Sequence, residues 1–184
     1  MRTPVVFVVS LVWAVLVVVA VHFLDFPGSV PNFQQVSGGG TLLDASPAFT
    51  ADNAYQRLGE YGAEGRKNYS FRNVTVDILL PLSVLPFFFL LMLRAVTAVP
   101  AGRFVRAALL SLPLVYVIFD LLENSVVLVL LGYYPERLDM LATTLPYVTI
   151  IKRAASLLIL GVPLTMLGFG SVRRFQKTKT ARQA

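Results

Sequence analysis

The sequence predicts an all-α, polytopic membrane protein: a bundle of four transmembrane helices with one long extracytoplasmic loop that contains a short amphipathic helix. Composition is the first reason. Of 184 residues, 56% are hydrophobic and only 14% charged, and the mean hydropathy is +0.70, well outside the range of soluble domains. The second reason is four apolar runs, each long enough for a bilayer core of about 30 Å, which needs about 20 helical residues. Third, the basic residues behind the net charge of +6 gather at the ends of those runs, as membrane topology requires. Residues 1–184 are therefore read as a single membrane domain.

The first run, residues 4–24, has His22 as its only titratable side chain. A cleaved signal peptide is the rival reading. However, the run is longer than the usual apolar region of about 7–15 residues, and Asp25-Phe26-Pro27 lacks the small residues of a cleavage site. A retained helix is expected. Residues 25–74 follow as the long hydrophilic segment. Its first half is rich in Pro, Gly and Ser and reads as an irregular loop. In the second half, Thr50 to Asn53 offer helix caps, and Ala54, Leu58 and Tyr61 recur at helical spacing, so an amphipathic helix is expected over 52–61. Gly62-x-x-Gly65 comes next, without the Gly-Lys-Ser/Thr that a phosphate loop needs.

The second span is expected at 75–97, the third at 104–131 and the fourth at 140–170, with a basic tail over 171–184. Pro81 and Pro86 lie in the second span, Pro113 in the third, and Pro146 and Pro163 in the fourth. Transmembrane helices tolerate such prolines when neighbours satisfy the freed carbonyls. Orientation follows from the cations. Arg94, Arg103 and Arg106 stand between spans two and three without an acid, and the tail is basic throughout. Residues 25–74, by contrast, mix four basic with five acidic side chains. The positive-inside rule then places both termini in the cytoplasm and residues 25–74 outside.

The chemistry is concentrated in the third span, where Asp120, Glu123 and Asn124 stand at i, i+3 and i+4 and share a helix face, with Tyr116 one turn earlier. A carboxylate at bilayer depth costs about 2.5–3.5 kcal/mol on insertion scales, so two of them need a partner or a task. Counting 1.5 Å per residue from each helix's cytoplasmic end puts His22 about 29 Å from Thr3, Asp77 about 26 Å from Arg94, Asp120 about 20 Å and Glu123 about 24 Å from Ala107, and Lys152 about 31 Å from Arg173. All four spans thus carry their exceptional residue in one slab, the outer third of the membrane. Lys152 and Arg153 are expected to face the carboxylates of spans two and three, and Thr149, Lys152 and Ser156 form a polar seam on span four. Arg153 has the further choice of snorkelling to the headgroups.

These residues define a candidate site. Asp120 and Glu123 are the candidate catalytic pair, since adjacent carboxylates drive their proton affinities apart and can leave one as a general acid. Arg66, Tyr69, Asp77, Tyr116, Asn124, Thr149 and Lys152 are the candidate ligand-binding groups, with Arg66 and Tyr69 above the carboxylates. Without cysteine, thiolate metal sites, Cys nucleophiles and CxxC redox chemistry are excluded. The carboxylates lack the Glu-x-x-His spacing of a helical metal site, so neither a metal nor a cofactor is expected. Nucleic acid is not expected as a partner, because the cations form no basic stripe; membrane lipids are, with a protein partner or a second copy of the chain as a further expectation.

The set Gly62-x-x-Gly65-Arg66-x-x-Tyr69, Asp77-x-x-x-Pro81, Asp120-x-x-Glu123-Asn124, Tyr134-Pro135 and Lys152 resembles a group of small, uncharacterised four-helix membrane proteins, over residues 62–153. The resemblance implies that the loop motif and the intramembrane polar residues form one set, and it carries no activity. Two functions fit the residues. One is binding or modification of a lipid-like molecule at the polar slab; the other is a structural or assembly subunit whose charged cluster only fixes helix packing.

Overall fold

A computed structural model describes residues 3–100 and 102–181. Every regular element among the described residues is a helix: α1 (Thr3–Phe23), α2 (Val30–Val36), α3 (Ala51–Glu60), α4 (Gly62–Val74), α5 (Val76–Ala98), α6 (Arg103–Tyr133) and α7 (Asp139–Ala181). Four stretches are long and apolar enough to cross a membrane: Pro4–Phe23, Gly62–Ala98, Arg103–Tyr133 and Asp139–Ser171. In none of their most apolar windows is more than 39% of the residues buried by the protein itself. Trp13, Leu16, Ile118 and Leu157 are among the large apolar side chains left exposed. In water such an uncovered apolar surface would drive association.

Helices α5, α6 and α7 pack against one another, whereas α1 packs along α5 and touches α2. At the far end of that contact the Arg94 guanidinium lies 3.9 Å from the centre of the Phe7 ring, tying α5 to α1. The spans expected at 104–131 and 140–170 fall within α6 and α7, and those at 4–24 and 75–97 each pass one residue, Leu24 and Thr75, beyond α1 and α5. Two expectations change. Residues 25–74 are not one irregular loop with a single helix: α2 and α4 flank the amphipathic α3. The helical backbone of α7 also runs on into the stretch expected to be a tail, as far as Ala181; the side chains beyond Ser171 and residues 182–184 lie outside the described residues.

Local chemistry explains the extra helices. Ser29 caps α2 by accepting the Asn32 N–H at 3.2 Å, with Pro31 in its first turn. Thr50 caps α3 in the same manner through Asn53. Gly62, at φ +64°, takes the left-handed turn between α3 and α4, which side chains disfavour. Gly65 permits close approach, since a Cβ there would lie 3.2 Å from the Ser37 Cα. Gly62-x-x-Gly65 is thus a turn and a packing notch.

Helices α2 to α4 form a cap with its own core. Phe33 is fully buried against Tyr61, ring centres 5.1 Å apart, and against Tyr69 at 5.2 Å. This core continues through Leu43, Ala54 and Leu58 into Leu130 of α6 and Leu145 of α7, so the cap is seated on the ends of two long helices. Arg57 pins the stretch after α2, donating to the carbonyls of Thr41 and Leu42 at 2.5 and 2.8 Å and also to Ser46. Burial pushes the Tyr61 phenol up to about 12, and its hydroxyl donates to the Thr41 carbonyl.

Two outcomes are expected. Phe33→Ala should cost about 3–5 kcal/mol, read as a lower unfolding temperature in mild detergent and faster proteolysis between residues 37 and 50. The folded chain keeps the Tyr61 proton where an unfolded chain, titrating near pH 10, would lose it, so stability should fall as pH rises from about 10 to about 12. Tyr61→Phe should flatten that alkaline loss in a denaturation series.

Candidate functional site

The polar residues of α6 divide between two directions. Glu123, with 0% exposure, turns toward α7, where the Thr149 hydroxyl and the Lys152 ammonium both donate to its carboxylate. Asp120 lies one turn earlier and meets the same ammonium at 3.2 Å. A third carboxylate, Asp44, comes from the cap at 4.0 Å. Lys152 therefore stands among three carboxylates from two separate stretches of chain.

Asp44 is held there by the cap. The Tyr69 hydroxyl donates to Asp44 Oδ1 at 3.2 Å and accepts the Leu43 N–H at 3.2 Å. Arg153 is tied to the cap. It turns back and donates to the carbonyls of Asp44 and Ala45 at 2.6 and 2.7 Å. Of the seam on α7, Thr149 and Lys152 meet Glu123 while Ser156 donates to the Arg153 carbonyl of its own helix; Arg153, beside the seam, clamps the loop that supplies Asp44.

Asp77, at the start of α5, pairs with Arg72 at 2.8 Å, not with Lys152. Arg72, 3% exposed, also donates to the Gly28 carbonyl at 2.7 Å, leaving its buried Nε–H without a partner. Pro81 cannot donate to the carbonyl four residues before it, which is that of Asp77. The Asn124 amide of α6 supplies the missing bond at 3.0 Å and gives a second one to Asp120 at 3.3 Å. Asp77-x-x-x-Pro81 and Asn124 are therefore one device.

Between α1, α5, α6, α7 and the cap lies a cavity of about 240 Å³. Its ionisable lining is His22, Asp44, Arg72, Asp77, Asp120 and Lys152. Val18, Leu80, Val84 and Phe88 form an apolar wall, and Tyr116 and Asn124 lie between the two kinds of surface. Tyr116 and Phe88 meet edge to face, ring centres 5.9 Å apart. His22 donates from Nδ1 to the Val18 carbonyl at 2.9 Å.

Of the candidate residues, Asp77, Tyr116, Asp120, Asn124 and Lys152 come together around the cavity. Glu123 and Thr149 do not line it; they stand behind Lys152 and anchor it. Tyr69 acts one step removed, through Asp44. Arg66 lies elsewhere, its guanidinium 4.1 Å from the Tyr134 ring centre and bonded to the Leu58 carbonyl. Asp44 and Arg72 were not among the sequence candidates. The signal for Asp44 is the Leu42-Leu43 pair before it, apolar side chains in a polar loop that need a core.

Among the described residues, no group of three His, Asp or Glu side chains has the arrangement of a metal site; the Lys152 ammonium occupies the centre of the carboxylate cluster. No protein-family model, curated protein or solved structure matches the chain.

The cluster predicts an asymmetry. Lys152→Met strands three carboxylates and should cost about 3–5 kcal/mol, whereas Glu123→Gln leaves Lys152 with Asp120 and Asp44 and should cost clearly less. Unfolding temperatures in mild detergent measure both, and equal losses would contradict the shared-ammonium arrangement.

Proposed function

We propose that the chain is an integral membrane protein that binds an amphiphilic, lipid-like molecule, its polar head in the cavity beneath the cap. The cavity's two-sided lining carries this reading: ionisable groups from the cap and all four long helices on one side, and Val18, Leu80, Val84 and Phe88 on the other. Its volume of about 240 Å³ is below the roughly 300–1,000 Å³ that encloses a drug-sized ligand. A head and its first few carbons fit, so the rest of the molecule extends out of the cavity. Because α1 packs on α5 and not as a close partner of α6 or α7, the open side faces the surroundings of the bundle. In a membrane those surroundings are acyl chains.

In this reading both termini are cytoplasmic and the cap is extracytoplasmic, following the excess of Arg between α5 and α6 and in the basic tail. Asp120 is the carboxylate positioned to exchange a proton with a bound head, and His22 is a second titratable group on the cavity lining. Glu123 supports a second reading. Fully buried and bonded to both Lys152 and Thr149, it acts as an anchor, as a purely structural or assembly subunit would require of the whole cluster.

Filling the cavity separates the two. Val84→Phe, or Leu80→Phe should the first disturb folding, adds bulk at the apolar wall and leaves every ion pair in place. Native mass spectrometry from mild detergent should then show an amphiphile retained by the wild type and lost by the variant at an unchanged unfolding temperature. Equal retention by both proteins would eliminate binding at this cavity.

A further inference from the structure

We infer that the head group this cavity accepts is positively charged, so that the ligand class is a long-chain amine or quaternary ammonium amphiphile; the inference rests on the binding reading above. The charges around the cavity do not balance. On the cavity's own lining Asp44, Asp77 and Asp120 are three acids, against Lys152 and Arg72, which are two bases. The lining therefore carries one acid more than bases, and so one negative charge without a counter-ion, before His22 is counted. A cationic head would neutralise it, whereas an anionic head would add to it in a site shielded from water, where like charges interact strongly.

The bases already present are committed. Lys152 is enclosed by three carboxylates. Arg72 spends one terminal nitrogen on Asp77 and the other on the Gly28 carbonyl. Its Nε–H is unpartnered but buried, without surface for a ligand to reach, so no base is left to meet the several acceptors of a phosphate or carboxylate. The aromatic pair points the same way. Tyr116 and Phe88 both line the cavity, and aromatic faces attract ammonium groups, quaternary ones included. Apolar side chains beside them receive the first methylenes of the ligand's chain.

The test compares three probes that share one alkyl chain: dodecylammonium, dodecylphosphocholine and dodecyl phosphate, each below its micelle concentration. They are added to the full-length protein in mild detergent, and binding is read by native mass spectrometry and by the rise in unfolding temperature. Dodecylammonium should bind at least about tenfold more tightly than dodecyl phosphate, the scale of one charge-assisted contact, with the zwitterion between them. Asp120→Asn should reduce the ammonium affinity by about tenfold and leave the phosphate probe no weaker. Where Asp120→Asn proves unstable, Asp44→Asn at the cavity's edge should give the same direction. Preference for the phosphate, or equal binding of all three heads that Val84→Phe still abolishes, overturns the charge assignment but keeps the site. If no probe binds, or if Val84→Phe leaves binding unchanged, the binding reading fails and this inference falls with it.

Discussion

One ammonium group shared by three carboxylates is the constraint on which the upper half of this bundle depends. Glu123 cannot be buried as an ion unless Lys152 reaches it, and Lys152 cannot be brought that far inside unless Asp120 and Asp44 share it. The arrangement fixes α7 against α6 at one height and draws residues 41–46 of the cap down onto the helix ends. The cap's aromatic core and the charged cluster therefore stabilise the same geometry from above and below. Loosening either exposes charges to apolar surroundings.

Within that constraint the two carboxylates of α6 have different roles, although they are three residues apart on one helix. Glu123 is spent on anchoring, saturated by Thr149 and Lys152. Asp120 shares the ammonium but borders open space, facing the apolar wall of α5 and the end of α1. The cap adds a third carboxylate through a chain of positioning contacts: Arg57 and Arg153 hold the loop backbone while Tyr69 holds the side chain of Asp44. The cap is thus part of the cavity wall.

Much of this was legible in the sequence because membrane spans are written in hydropathy and because helical rise converts residue number into height. That arithmetic brings His22, Asp77, Asp120 and Lys152 to one level, and all four border the cavity. What it cannot supply is direction around each helix at fine scale. Glu123 and Thr149 therefore read as site residues although they face each other behind Lys152. Asp77 likewise reads as a partner of Lys152 although Arg72, five residues earlier, is nearer. The cap was hardest to read. Helix α2 is seven residues long with Phe33 as its buried anchor, too short for a periodic signal. Asp44 reaches its place through long-range contacts that no local pattern encodes. Arg66 looked like a site cation because it stands close in sequence to Tyr69, yet helical geometry turns it toward Tyr134.

The bond from Asn124 to the Asp77 carbonyl has a mechanical consequence. A side chain of α6 completes the internal ladder of α5 at the point where Pro81 interrupts it, so sliding or rotating one helix against the other strands a polar atom. Those two helices are obliged to travel as a rigid pair, with α7 clamped to them by its ionic contacts. Among the described residues His22 bonds within its own helix, so no side-chain hydrogen bond from it fastens α1 to α5 or α6 at this level. Under the binding reading proposed above, the helix to move when a ligand enters is α1, rocking about its lower attachment, where Arg94 covers Phe7.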